Sequence, residues 1–183
     1  RDPLLTSVDL VAGFHADMHP ANSTVRPALG LRLPDGFSLF AGYSYSLLWD
    51  TKHERGEEHV AFQQVAYQAP FSGVQLFGRV RGEERFRPDS DVGFRLRMLV
   101  QLNVPFWHQA PFQVVQWDEL FLGLNQPADW QPALLDLYLV FAGIAWVPEP
   151  HFRAEVGYQG ALVPRPDETA IVHFLSAGTT VYL

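Results

Sequence analysis

The chain has 183 residues, of which 48% are hydrophobic, 14% aromatic and 18% charged. That is the length of one ordinary domain, here Arg1 to Leu183, and too apolar for a disordered segment. The formal charge of −7 gives no support to a broad grip on nucleic acid, and the lack of cysteine excludes disulfides, thiol nucleophiles and cysteine-ligated metals. The longest apolar runs, such as Leu137 to Val147, fall well short of the roughly 20 residues that a membrane-crossing helix needs. Nothing signal-like precedes Arg1, so the numbering is expected to start after processing or part-way along a longer chain.

Periodicity divides the chain into ten strand-like runs separated by Pro, Gly, Asp and Asn clusters. In chain order they are Leu4 to Asp17, Arg26 to Leu33, Phe37 to Trp49, His59 to Ala69 and Val74 to Phe86, followed by Val92 to Val104, Phe112 to Leu124, Leu134 to Val147, Phe152 to Val163 and Ala170 to Tyr182. The third run alternates Phe37, Leu39, Ala41, Tyr43, Tyr45, Leu47 and Trp49 against Ser38, Phe40, Gly42, Ser44, Ser46 and Leu48, a face of mostly small or polar residues. The fifth sets Arg79, Arg81, Glu83 and Arg85 opposite Val74, Leu76, Gly78 and Val80. The sixth is cleanest: Val92, Phe94, Leu96, Met98, Val100, Leu102 and Val104 share one face, with Leu99 the lone apolar residue on the wet one. In the ninth, Arg153 and Glu155 share a face opposite Phe152, Ala154 and Val156.

Three runs need adjustment. In the seventh, Gln116 and Asp118 share parity with Phe112, Val114 and Leu120, so a bulge is expected near Gln116 to Glu119. In the eighth, Leu135, Leu137, Leu139, Phe141, Gly143, Ala145 and Val147 are expected to face outward, with Asp136 and Tyr138 inward. In the last, Leu175, Ala177, Thr179, Val181 and Leu183 alternate to the carboxylate, while Val172 and Phe174 have the opposite parity, which calls for a bulge near Ser176 to Gly178.

Connections alternate between longer polar segments and tight turns such as Pro34-Asp35-Gly36, Ser72-Gly73 and Pro148-Glu149-Pro150. Short turns on one side and longer loops on the other are the mark of a transmembrane barrel with both ends in the periplasm. Runs of this length match the 9 to 11 residues a tilted strand needs to span hydrocarbon. The wet faces are rich in Arg, whereas Lys occurs once, at Lys52. Guanidinium forks suit pairing with carboxylates in a crowded lumen, whereas a solvated sheet face carries Lys freely. The sequence therefore predicts an all-β, single antiparallel up-and-down transmembrane barrel of about ten strands (range 8–12), located in the bacterial outer membrane.

Several pieces, in order, resemble the DUF2490 family of uncharacterised bacterial outer-membrane barrels. They are Arg79, Arg81, Glu83 and Arg85 followed by Gly93-Phe94-Arg95-Leu96-Arg97, then Trp117-Asp118-Glu119-Leu120-Phe121 with Asn125, Ala142-Gly143-Ile144, Glu155-Val156-Gly157-Tyr158, and His173. The likeness runs from about Glu57 to Leu183. It implies an outer-membrane barrel with a charged interior and supplies no activity.

For chemistry, His173 and Ser176 with Glu155 and Asp136 are the nearest approach to a hydrolytic triad, but residues three apart lie on opposite faces of an unbulged strand. An interior histidine bonded to a carboxylate is the simpler expectation for His173. His15, Asp17 and His19, and separately Glu54, Glu57, Glu58 and His59, have spacings that could converge on a divalent ion, though acidic wet loops are the commoner cause. No residue set specifies a catalytic, metal or cofactor site. The expected role is structural or docking. The expected partners are outer-membrane lipid or lipopolysaccharide, and an envelope protein met through extracellular loops or periplasmic turns, with no nucleic acid. A narrow solute channel, a lipid hydrolase and a soluble barrel binding a lipid-like ligand are the alternatives. Phe40, Phe77 and Tyr138 are expected to help the Arg and Glu side chains fill the lumen.

Overall fold

The computed structural model describes residues 3–14, 20–49, 55–88, 90–107, 111–127, 134–164 and 169–182, with only the backbone of residues 20 and 21. Ten strands follow one another: β1 (Leu4–Phe14), β2 (Pro20–Arg32), β3 (Phe37–Trp49), β4 (Arg55–Phe71), β5 (Val74–Phe86), β6 (Gly93–Pro105), β7 (Phe112–Gly123), β8 (Leu134–Glu149), β9 (Phe152–Pro164) and β10 (Thr169–Tyr182). Each pairs antiparallel with its sequence neighbours, and β1 pairs with β10 from Ser7↔Tyr182 to Phe14↔Leu175, so the sheet closes into a barrel. Closure removes both edges, which strands this long with no covering helix would otherwise expose.

All ten expected strands are present, with different limits at some ends. β2 is 13 residues long rather than the short run from Arg26, because Asn22 to Val25 keep pairing with β3 despite their turn-like composition. β4 reaches 17 residues, extending past both expected ends. The tight turns lie together at one end of the barrel, and Asp35 (φ 57°) and Gly36 (φ 84°) give the β2–β3 turn its left-handed backbone.

Side chains divide by strand parity. Outward positions of β6 (Phe94, Met98, Val100, Leu102, Val104) are exposed, and the inward ones (Arg95, Arg97, Leu99, Asn103) are buried. Leu10, Val25, Leu29, Leu39, Val65, Val80, Val114, Ile144, Val156, Ile171 and Leu175 continue this apolar surface around the other strands. A monomeric soluble protein does not expose such an apolar girdle. Polarity is inverted: oil outside, charge inside.

Three expectations about facing are corrected. The register between β7 and β8 shifts at Phe121/Leu122, opposite Asp136, rather than near Gln116 to Glu119. On the far side of that bulge the parity of β8 is the reverse of the expected one: Phe141, Gly143, Ala145 and Val147 turn inward, while Tyr138, Val140, Ala142 and Ile144 turn outward. In β10 the register against β9 runs unbroken, so no bulge exists near Ser176 to Gly178, and Val172 and Phe174 simply occupy inward positions. The common cause is that the inner wall accepts apolar residues on β7 to β10.

Those residues form a small inner cluster near the turn end, in which Val115, Phe141 and Ala145 are buried against Trp117 and Val147. The Trp117 and Phe141 rings stack with centroids 5.1 Å apart. Gly143 and Gly157 face each other beside the Phe141 ring: a Cβ on Gly143 would sit 2.6 Å from that ring and 2.4 Å from the Val156 carbonyl oxygen. Gly143→Val is therefore expected to cost about 1–3 kcal/mol through overpacking, read as a lower urea midpoint of vesicle-folded protein.

Candidate functional site

The lumen between β4 and β8 contains one unbroken chain of alternating charges. Arg87, just past β5, donates Nε to Glu58 on β4 at 2.8 Å, and Glu58 also receives Arg85 Nη2 at 2.6 Å. Arg85 Nη1 lies 3.3 Å from Asp136, which in turn lies 3.4 Å from Arg95 Nη1. Arg95 Nε donates to Glu83 at 2.7 Å, and the other Glu83 oxygen receives Arg97 Nη1 at 2.8 Å. Arg97 then grips Glu119 bidentately through one edge, Nε at 3.0 Å and Nη2 at 2.7 Å, and Arg79 Nη2 reaches the same carboxylate at 2.5 Å. Alternate positions of paired strands place these forks at one another's level, as at Arg81↔Arg97 and Glu83↔Arg95.

Packing holds the chain in place. The Arg97 and Arg95 guanidiniums lie over the Phe121 ring at 4.3 and 5.0 Å, and Arg81 lies over Phe62 at 4.2 Å. Asp136 takes part because it is the extra residue of the β8 bulge, which aims its carboxylate inward beside Leu137. Arg81 stands apart: its Nε and Nη2 both donate to the neutral Gln64 side chain, and the nearest carboxylate oxygen, on Glu83, is 3.7 Å away.

The opposite half of the lumen carries hydrogen-bonded hydroxyls and two separate ion pairs. Thr24 and Ser46 hydroxyls meet at 2.8 Å, and Thr180 donates to Asp9 at 2.8 Å. Arg26 lies 3.6 Å from Asp9, and Arg153 pairs with Glu155 at 3.0 Å and donates to Asn103 at 2.9 Å.

Polar groups also stand on the outer wall. Tyr138 OH donates to Asp118 at 2.7 Å, and Gln116 Nε2 contacts the other Asp118 oxygen at 3.3 Å, so the wall carboxylate is capped by its neighbours. Tyr43 hydrogen-bonds His59, and Tyr158 hydrogen-bonds His173, both through Nδ1. Asp118, Val140, Gly160 and His173 occupy one continuous rung across four strands.

These positions decide the sequence-based candidates. Asp136, Glu155, Arg153, Phe40 and Phe77 face the lumen as expected. His173 does not: it faces outward, bonded to a tyrosine rather than a carboxylate, and Tyr138 is outward too. Ser176 is buried on the inner side, so His173 and Ser176 point to opposite faces, and no triad assembles with Glu155 or Asp136. His15, Asp17, His19 and Glu54 lie outside the described residues. The rest of that second cluster is split by parity, with Glu58 inward on Arg85 and Arg87, Glu57 outward accepting from Tyr45 OH, and His59 outward on Tyr43. Among the described residues no three potential ligands converge on a metal position. Sequence reasoning missed Gln64 as the acceptor for Arg81 and the Asp9–Arg26–Thr180 contact across the closure. The second depends on which strand meets β1, which no local pattern encodes.

A closed barrel with an apolar outer wall and an ion-paired interior is a transmembrane β-barrel, the architecture of the bacterial outer membrane. The chain belongs to the DUF2490 family, proteins of unknown function, whose sequence pattern matches residues 11–171. The match extends the likeness forward from Glu57 to residue 11. An uncharacterised protein of Methylorubrum extorquens is 32% identical over 140 residues, covering 73% of this chain and 60% of that protein, so the chain spans less than two thirds of that relative. Among solved structures, the NanC porin superimposes with a TM-score of 0.52 at 8% identity, over 96% of this chain and 100% of that one. The outer-membrane OmpT of Vibrio cholerae gives 0.50 at 12% identity, over 100% of this chain and 62% of that one. Both similarities are of fold.

Proposed function

We propose that this barrel is a non-conducting, non-catalytic outer-membrane protein that docks lipopolysaccharide or an envelope partner at its loop end. The observation that carries the closed lumen is the ion-pair chain itself: Glu83, Arg85 and Glu119 are 4%, 5% and 3% exposed, too little for a wetted pore lining. Closer to the turn end, the stacked Trp117 and Phe141 with Val115 and Ala145 add an apolar layer. Porin lumens are polar and water-filled, whereas small barrels are filled by side chains.

Lipopolysaccharide is supported by the outer wall. His59 and His173 lie in the loop-side halves of β4 and β10, each with a tyrosine hydroxyl, where sugar and phosphate groups of the outer leaflet would meet them. Planar-bilayer recording of purified protein tests the closed lumen. The expected result is a silent membrane, and stable single-channel steps would instead establish the narrow-channel alternative. For docking, His59→Ala with His173→Ala is expected to weaken retention of lipopolysaccharide on the folded barrel without altering its heat-modifiable gel mobility. Unchanged retention would remove lipopolysaccharide as the wall's partner.

A further inference from the structure

We propose that the lumen contains a binding site for a small free oxyanion, formed by the guanidiniums of Arg26 on β2 and Arg79 and Arg81 on β5. Among the described residues, the buried donors Arg26 Nε, Arg79 Nε and Arg81 Nη1 make no hydrogen bond. A buried donor to a charged group is seldom left unmade, because the desolvation cost is not recovered. Arg81 is the decisive member. It is 2% exposed, its other two nitrogens are spent on Gln64, one face is covered by Phe62, and Nη1 is the edge that remains.

The charge count points the same way. In the lumen proper, Arg79, Arg81, Arg85, Arg95 and Arg97 share four carboxylates, Glu58, Glu83, Glu119 and Asp136. All four are engaged by arginines other than Arg81 at shorter distances. Arg26 reaches into the same region, close enough to Arg79, Arg81 and Arg97 for mutual repulsion, and its ion-pair partner is Asp9 at 3.6 Å, with Glu83 acting on it from farther off. Like charges held together in an enclosure call for a counter-ion, and several N–H edges suit the oxygens of phosphate, sulfate or a carboxylate better than a halide. These donors face the lumen and not the wall, so the ligand is a dissolved anion rather than a lipid headgroup. The inference holds whether or not the barrel conducts, since occupancy requires entry from one end only.

Isothermal titration of the full chain, folded in a phosphate-free maltoside detergent at fixed ionic strength, tests it with inorganic phosphate and with sulfate as probes. Saturable binding of one anion per barrel is expected, weakened about tenfold or more in Arg81→Gln through the loss of charge-assisted bonds. Asp9→Asn removes the carboxylate that competes for Arg26, keeps an acceptor for Thr180, and should tighten binding about fivefold. Should Arg81→Gln fail to fold, Asp9→Asn decides the matter. Absence of saturable heat with both probes, binding unchanged in folded Arg81→Gln, or affinity unmoved in Asp9→Asn would overturn the site.

Discussion

Glu119→Ala is expected to destabilise the barrel by about 3–5 kcal/mol, the largest effect of any single lumenal change. Glu119 is 3% exposed and is, among the described residues, the sole carboxylate within hydrogen-bonding distance of Arg79, besides receiving the Nε and Nη2 edge of Arg97. Truncating it strands two guanidiniums in a space that water enters poorly, and the cost is their unpaired burial more than the lost attraction. Urea unfolding in phospholipid vesicles, followed by tryptophan fluorescence, measures it. Replacing the pair together, Arg97→Met with Glu119→Leu, should recover part of the loss, because apolar groups of similar volume tolerate burial without partners. Glu149→Ala, at an exposed position beside the β8–β9 turn, should stay within about 0.5 kcal/mol. A Glu119→Ala protein as stable as the parent would mean that the lumen is wet enough to solvate bare arginine.

Val100→Arg should cost about 2–4 kcal/mol in vesicles, and Val104→Arg about 0–1 kcal/mol. Both side chains point outward from β6 and are similarly exposed, at 56% and 42%, but Val100 is mid-strand and Val104 is next to the turn end. Only a wall in contact with hydrocarbon makes the two differ, since an arginine near the interface reaches the headgroups and one at the midplane does not. Equal costs, or purified protein that stays folded and monodisperse in plain buffer, would contradict a lipid-facing wall.

How much of this was legible varied by strand. β5 and β6 declare themselves because charged and apolar residues alternate with few exceptions, Leu99 among them, so parity alone places Arg79, Arg81, Glu83, Arg85, Arg95 and Arg97 inside. β8 misleads because both of its faces are apolar: Phe141, Gly143, Ala145 and Val147 inside are as hydrophobic as Val140, Ala142 and Ile144 outside. Where composition is the same on both sides, period two fixes which residues share a face but not which face is which. The outward carboxylate of Asp118 compounds the difficulty, since an acid normally marks the inside. Here Tyr138 and Gln116 satisfy it on the wall. His173 departs from expectation in the same way, as a polar residue that points outward and is satisfied by Tyr158 on the wall.

By itself the sequence determined the class of fold, a strand number of about ten and the existence of a charged interior, because alternation, strand length and turn spacing are local properties of the chain. Tertiary structure alone decided which partners meet: that Asp136 enters through a bulge, that Glu119 serves both Arg79 and Arg97, and that Asp9 meets Arg26 and Thr180 at the seam. Ring closure brings together residues as far apart as Asp9 and Thr180, and the register at that seam follows from the geometry of the whole barrel rather than from any one strand.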